Sequence, residues 1–216
     1  MAVVAREFRP TLRDELALLR PSLRRAVAGG LIALLAILAL AAFVASRPNG
    51  VHVVGHRPVT WNLYHPGVLR QTRAPAGELL HLEHRGARGR LSSRFAVEPL
   101  HLPAYKGNVG GVLPVLADKE LAALRRRIPG MVPLEEGKAR DNTAAGYQIL
   151  FRVSRRPKVW GRLVMLVKPG KRSRTGVRLL MLGTPRGGNT TYTDVGNAGE
   201  LRDPYRTFMF GTGRAP

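Results

Sequence analysis

Residues 146–182, GYQILFRVSRRPKVWGRLVMLVKPGKRSRTGVRLLML, decide the fold of this chain. Three stretches within this segment have the apolar rhythm and composition of β-strands: 146–153, 159–167 and 177–182. The polar turns between them, at 155–158 and 169–176, are short enough for antiparallel pairing of sequential strands. The segment therefore predicts a three-stranded antiparallel meander.

Strand patterns also precede this meander. Apolar and polar residues alternate from Val59, and they predict a first strand that ends at His65-Pro66-Gly67. Residues 78–84 and 91–102 predict two more strands. The Arg-Gly-Ala-Arg-Gly sequence at 85–89 lies between them and predicts a hairpin.

A helix is predicted between the two groups of strands. Residues 108–128 carry apolar side chains at helical spacing, on or near one face: Val112, Leu116, Leu121, Leu124 and Ile128. Pro114 either begins this helix or kinks it, and Pro129-Gly130 ends it. The next stretch, 131–140, is interpreted as a short strand.

Beyond the meander the signals are weaker. Residues 194–203 predict a weak helix, and Tyr205, Phe208 and Phe210 are expected to anchor the end of the chain in the core. Strands in two groups with helices between them predict an α+β domain, with one antiparallel β-sheet covered by helices. We place this domain at residues 59–211, followed by a tail at 212–216.

An uncharged apolar run lies before the domain. As a helix, residues 26–46 (AVAGGLIALLAILALAAFVAS) span about 31 Å, close to the roughly 30 Å hydrocarbon core of a bilayer. The tail at 1–25 contains six arginines, whereas Arg47 is the sole arginine or lysine in the first ten residues after the run. The positive-inside rule therefore predicts a single-pass protein with a cytoplasmic N-terminus, a linker at 47–58 and an extracytoplasmic domain.

The run has two other interpretations, a cleaved signal peptide and a buried helix. Val44, Ala45 and Ser46 would make an acceptable signal-peptide cleavage site, although the run is longer than a usual signal segment. A helix buried in a soluble core would need a larger domain around it. Within the tail, residues 6–25 have leucines at helical spacing, which is typical of a helix on anionic headgroups and is also compatible with a cytoplasmic partner.

The charge of the chain is strongly positive, at +21, and the chain contains no cysteine. Beyond the apolar run, 29 basic residues stand against 11 acidic ones, a net charge of +18. Such a domain is attracted to anionic lipid headgroups, acidic envelope polymers or nucleic acid. The excess of arginine over lysine is also what a GC-rich bacterial coding sequence would give, so charge alone specifies no partner.

The order of these elements resembles the PsbP-like superfamily, which includes Mog-type and LpqN-type proteins. The resemblance rests on five segments: VTWNLYHPG (59–67), AGYQILFRV (145–153), WGRLVMLV (160–167), VRLLML (177–182) and YRTFMF (205–210). It covers about residues 59–211 and implies an α/β/α sandwich. It also implies a non-enzymatic module that docks onto larger assemblies, with no cofactor and with no binding residue carried over.

Catalytic and metal-binding patterns are weak. All six histidines lie between His52 and His101, but His81 and His84 would point to opposite faces of a strand, so solvated histidines are the simpler interpretation. Gly107–Gly111 lacks the lysine of a phosphate-binding loop and is interpreted as a flexible start to the helix. The carboxylates considered for acid/base chemistry are Glu135, Glu136 and Asp141. Neither Ser92 nor Ser93 lies in a nucleophile elbow.

The most basic turns of the meander are the candidate contacts for an anionic ligand: Arg155, Arg156, Lys158, Lys168, Lys171, Arg172 and Arg174. They are equally compatible with ordinary solvated turns. We expect a non-catalytic binding or accessory domain that meets anionic lipid, an envelope polymer or an envelope protein complex. The absence of an aromatic stacking ladder beside the charge disfavours nucleic acid. An exported hydrolase-like enzyme and a structural spacer are the alternatives.

Overall fold

The structure, a computed structural model, describes residues 29–40, 50–142, 144–154 and 157–213. The chain divides into two compact units, Met1–Arg47 and Pro48–Pro216. In the first unit residues 29–40, inside the predicted span, are helical, while the basic tail and the rest of the span lie outside the described residues. Among the described residues no helix combines the length and apolar character needed to cross a membrane. The span at 26–46 stays a prediction.

The described part of the second unit contains ten strands and two α-helices. The strands are β1 (Gly50–Gly55), β2 (Trp61–Pro66), β3 (Arg70–Gln71), β4 (Leu80–Arg85), β5 (Leu91–His101), β6 (Met131–Asp141), β7 (Ala144–Val153), β8 (Val159–Val167), β9 (Thr175–Gly183) and β10 (Met209–Phe210). The helices are α1 (Val109–Arg127) and α2 (Arg202–Arg206), with short 3-10 turns at Ala87–Gly89, Pro185–Gly187 and Gly199–Leu201.

The strands form two antiparallel sheets, whereas the sequence predicted one. The large sheet has seven strands in the order β3-β4-β5-β9-β8-β7-β6, and the small sheet has three, β1-β2-β10. The predicted meander is confirmed as β7, β8 and β9, with Val153 opposite Val159 and Val167 opposite Gly176. Strand β9 also pairs with β5, which joins the meander to the first hairpin.

The large sheet is covered differently on its two faces. Helix α1 packs on one face, where Leu113, Ala117 and Leu124 are buried against side chains such as Phe151 and Leu163. The small sheet and the C-terminal segment cover the other face, where Trp61, Leu63 and Phe208 are among the buried residues. The result is a layered α+β fold in which the large sheet contributes to both hydrophobic clusters.

Strand β1 lies inside the segment that was predicted as a linker, 47–58. Residues Gly50–Gly55 pair antiparallel with β2 in register from Gly50 opposite Pro66 to Gly55 opposite Trp61. The prolines and glycines around this strand resemble a flexible linker in sequence. The strand nevertheless forms, because its backbone pairs with the neighbouring strand β2. The first strand of the second unit therefore begins at Gly50, before the predicted domain start at residue 59.

Helix α1 begins at Val109, so of the two alternatives predicted for Pro114, a helix start or a kink, the helix start is excluded. Asn108 caps the helix, because its side-chain oxygen accepts a hydrogen bond from the backbone N–H of Gly110 at 2.8 Å. Pro114 lies in the second turn, where it removes a single backbone donor. Strand β6 is longer than expected, since it runs for 11 residues beside β7 with a shift in register near Pro133.

The C-terminal segment is also shifted from the prediction at 194–203. Residues 190–194 form a turn, in which a carboxylate oxygen of Asp194 accepts backbone N–H bonds from Thr190 and Thr191 at 2.9 and 2.8 Å. The Thr190 hydroxyl, which donates to the same carboxylate, is the main cause that holds the pKa of Asp194 below its usual value, and the backbone bonds add to it. The helix starts only at Arg202. Tyr205 and Phe208 are buried as expected, and Phe210 is partly buried.

The close packing of β7 and β8 gives a test of this fold. Gly161 lies opposite Phe151, and a Cβ atom at position 161 would overlap the buried Phe151 ring. Gly161→Ala should lower the free energy of unfolding by about 1–3 kcal/mol, measured by urea denaturation with tryptophan fluorescence. Gly137→Ala, on β6 with open space at its Cβ, is the control and should change it by less than about 0.5 kcal/mol. Equal effects would contradict the packing.

Candidate functional site

The two basic turns of the meander lie at opposite ends of the large sheet. The turn after β7 precedes Val159, and the turn after β8 follows Val167, so the nine-residue strand β8 separates them. At about 3.3 Å per residue the separation is roughly 30 Å. Of the described contact residues, Lys158 therefore lies at one end of the sheet, and Lys168, Lys171, Arg172 and Arg174 lie at the other. Arg155 and Arg156 lie outside the described residues.

One surface, which we name the Arg172 end, contains Lys168, Lys171, Arg172 and Arg174, all exposed. This turn is held by the segment after β5: Leu102 and Arg174 form a backbone N–H to carbonyl bond of 2.8 Å, and the Tyr105 hydroxyl donates to the Ser173 carbonyl at 2.8 Å. Arg172 has a positive φ of 53° at the tip. A fixed turn thus presents several cations.

The opposite surface, which we name the Arg88 end, was not assembled from the sequence. It contains Arg85, Arg88 and Arg90 of the β4–β5 turn, Lys158 of the β7–β8 turn and Arg186 after β9. These meet because Ser93 of β5 pairs with Gly183 of β9, and Gly183 pairs with Trp160 of β8. The Arg-Gly-Ala-Arg-Gly turn was visible in the sequence, but its position beside Lys158 depends on strand order.

Within the described part of the chain, the cations at the tips are free of ion pairs apart from Arg85. Arg85 Nε lies 3.0 Å from a carboxylate oxygen of Glu83, and Arg85 also donates to the Gly89 carbonyl at 3.1 Å. The hydrogen bond from Arg85 to Glu83 is the main cause of the lowered pKa of Glu83. Arg88, Arg90 and Lys158 are exposed beside this pair. The Arg88 end is therefore strongly positive.

A cleft of about 410 Å³ lies beside α1, on the face of the large sheet against which α1 packs. Charged side chains from both layers line it: Glu78, Arg94, Glu98, Arg127 and Arg178. Helix α1 covers the neighbouring apolar strands, so this part of the sheet face has no helix over it. Charged side chains occupy the uncovered part.

The cleft's buried carboxylates are bound to arginines. Glu98, with 2% of its side chain exposed, accepts a hydrogen bond of 3.0 Å from Arg127 and lies 3.3 Å from Arg178 Nε. Glu98 is the main cause that raises the pKa of Arg127. Arg178 also donates to Glu120 of α1 at 2.8 Å, which links helix and sheet. Glu78 is held by Arg94. The cleft is an ion-pair network.

The histidines are divided between different surroundings. His81 Nδ1 lies 2.6 Å from Glu78 on the cleft side, and His84 Nδ1 lies 2.8 Å from Glu200 on the other face, as their spacing predicted. The interpretation as solvated histidines is wrong for His65 and His81, which are 3% and 7% exposed. Among the described residues no three histidine or carboxylate side chains are grouped as a metal site.

The remaining candidates offer no assembled chemistry in the described part of the chain. Gly107–Gly111 forms the capped start of α1. Ser92 and Ser93 are buried, so neither hydroxyl is accessible as a nucleophile. Glu135 and Glu136 are exposed on β6.

Several solved structures are similar to this chain. LpqN, involved in cell envelope biogenesis of Mycobacterium tuberculosis, is 11% identical, with 76% of this chain and 92% of LpqN covered at a TM-score of 0.51. The Ran-binding protein Mog1p of Saccharomyces cerevisiae is 11% identical (75% and 95% covered, TM-score 0.45). Cyanobacterial PsbP from Synechocystis sp. PCC 6803 is 9% identical (70% and 86%, 0.45).

The likeness to LpqN, at a TM-score of 0.51, confirms the predicted PsbP-like fold. At such identities the likeness concerns the fold alone. No protein-family model and no curated protein matches the sequence.

Replacing the central carboxylate of the cleft tests the ion-pair network. Glu98→Gln leaves Arg127 and Arg178 without their shared anion, and should lower the free energy of unfolding by about 2–4 kcal/mol. The lower part of that range allows for the partial exposure of Arg127. Glu135→Gln removes an exposed carboxylate as control and should cost less than about 0.5 kcal/mol in the same urea titration. A stable Glu98→Gln protein would contradict a structural role for the cleft.

Proposed function

We propose that this protein is a single-pass membrane protein whose extracytoplasmic PsbP-like domain is a non-catalytic binding module for an anionic component of the cell envelope. The N-terminal tail lies in the cytoplasm, residues 26–46 form the anchor, and the domain from Gly50 onward lies outside. The basic turns of the large sheet are its contact surfaces. The observation that carries the proposal is the distribution of charge in the described domain.

Acidic and basic residues have different positions in the domain. Glu78, Glu98 and Glu120 are engaged with arginines in and beside the cleft. The lysines and arginines at the two sheet ends lie on exposed turns, and the Arg172 end has no ion pair within the described residues. Pairing of these acids leaves much of the domain's excess positive charge exposed, part of it at the two ends of the sheet and part elsewhere, as at Arg125 and Arg126 of α1. A surface of this kind attracts phosphate or carboxylate groups with a salt-sensitive affinity.

The anchor is supported by the composition of residues 26–46, which are uncharged and long enough to cross a bilayer. The arginines that precede the run support the orientation. An exported location is also compatible with a fold that contains no cysteine, because its stability comes from two hydrophobic clusters rather than from disulfides. A cleaved signal peptide would leave the same domain outside but release it from the membrane.

An exported enzyme is the second candidate, and the cleft is the observation that favours it. A catalytic carboxylate has to exchange a proton with a bound substrate. Glu98 instead holds two arginines, and Glu78 holds Arg94 and His81. The network therefore favours a structural role for these groups over an acid/base role.

Reporter fusions test the topology. Alkaline phosphatase fused after Pro216 should be active in a bacterial host, because it would be exported with the domain, whereas green fluorescent protein at the same position should stay dark. A tag before Met1 should remain on the membrane-bound full-length chain after alkaline carbonate washing. A variant lacking 26–46 is the control. Phosphatase activity only in the control, or loss of the tag by cleavage, would contradict the anchored topology.

Binding to a soluble polyanion tests the proposed contact surface. The full chain in phosphatidylcholine nanodiscs should bind polyglutamate, and rising ionic strength should weaken this binding. Lys171→Ser with Arg172→Ser should weaken it severalfold, since both cations lie on the Arg172 end. Arg125→Ser with Arg126→Ser removes equal charge from exposed positions on α1 as control. Equal losses in both variants would show attraction by net charge only and contradict the proposed surface.

A further inference from the structure

Strand β1 is the first element of the described domain. Gly50 pairs with Pro66, and the next residues, Gly67 and Val68, line a second cleft of about 420 Å³. Arg70 and Arg85 line the same cleft. The N-terminus of the domain is therefore adjacent to the Arg88 end and not to the Arg172 end.

The connection between the apolar run and this strand is short. Because β1 begins at Gly50, three residues, 47–49, separate it from the last residue of the run at 46. Four residue steps reach at most roughly 14 Å when fully extended. The headgroup region adds about 5–8 Å on each side of the hydrocarbon core. An anchored chain therefore holds Gly50 close to the headgroup layer.

The surface around Gly50 has the composition of a membrane-contacting surface. Val51 and Val68 are exposed large apolar residues, with 52% and 41% of their surface accessible. Exposed arginines at 70, 88 and 90 lie on the same side. Apolar side chains beside cations favour the boundary between water and anionic lipid.

We infer that the Arg88 end, together with Val51, Val68 and Arg70, rests on the anionic lipid headgroups of the membrane that anchors the chain. This inference rests on the proposed anchor. It gives the two basic ends different roles: the Arg88 end orients the domain on the bilayer, and the Arg172 end points away from it and is free for an envelope component.

The absence of cysteine from the chain makes a site-specific test direct. Ala87→Cys places a label on the β4–β5 turn, and Ala104→Cys places one beside the β8–β9 turn. Both alanines are exposed, and neither change removes a charge. The full chain carries a bimane label in nanodiscs that contain a lipid with a nitroxide on its headgroup. In phosphatidylcholine mixed with phosphatidylglycerol, bimane at position 87 should be quenched severalfold more strongly than at position 104.

Charge removal and salt give the second part of the test. Quenching at position 87 should fall severalfold on adding Arg88→Ser and Arg90→Ser, on raising the salt, or on omitting phosphatidylglycerol. Lys171→Ser with Arg172→Ser should leave it unchanged. The salt series needs no further substitution, so it remains informative if the arginine variant is unstable.

The outcomes separate this inference from the proposed anchor. A chain that inserts into nanodiscs and resists carbonate extraction, but shows equal quenching at 87 and 104, overturns the inference and leaves the anchor intact. Strong quenching at 87 that is insensitive to salt, lipid charge and Arg88 overturns the headgroup contact. A chain that does not insert overturns the anchor and the inference together.

Discussion

The structure depends on a mismatch between one helix and a seven-stranded sheet. Strands about 4.8 Å apart make this sheet roughly 29 Å wide, whereas a helix with its side chains is about 10 Å across. Helix α1 can therefore cover only part of the face on which it packs. The rest of this sheet face, over β4, β5 and part of β9, has no helix above it. An apolar surface there would be exposed to water. The chain has Arg94, Glu98 and Arg178 there instead, and their ion pairs reach back to Glu120 and Arg127 of α1.

This arrangement also determines where the net charge of the domain acts. The paired arginines and glutamates neutralise one another across the cleft, so they contribute little field beyond the domain. The cations without ion pairs at the two sheet ends lie on exposed turns. Packing of the core does not require a charged residue at these positions. On the opposite face, Arg162 is used structurally: it is 7% exposed, donates to the Val195 carbonyl at 3.0 Å, and lies 4.4 Å from the ring centre of Tyr205. Arginines that are buried or ion-paired link the layers, whereas the cations on the turns are exposed.

Local pattern was enough to predict the meander and the first hairpin, because alternation and short turns act between sequential strands. Local pattern could not predict that β9 pairs with β5. Only this pairing brings Arg88 and Lys158 to the same end of the sheet. Local pattern also missed β1, since Gly50 and Gly55 resemble linker residues and only pairing with β2 makes them a strand. The ion pairs of Glu98 were invisible for the same reason: two of its partners come from β9 and α1. Long-range pairing, which no single segment encodes, determined these features.

The similarity to LpqN at 11% identity shows how little of the sequence the fold requires. In this chain, buried apolar side chains form the two clusters, and Gly161 allows the close approach of the Phe151 ring. The turns are under no such requirement, and in this chain they carry unpaired cations at both ends of the sheet. An exposed arginine with positive φ is conformationally unfavourable compared with glycine, yet Arg88 and Arg172 both occupy such positions. Folding alone would favour glycine at both tips, so neither arginine is there because the turn conformation requires it.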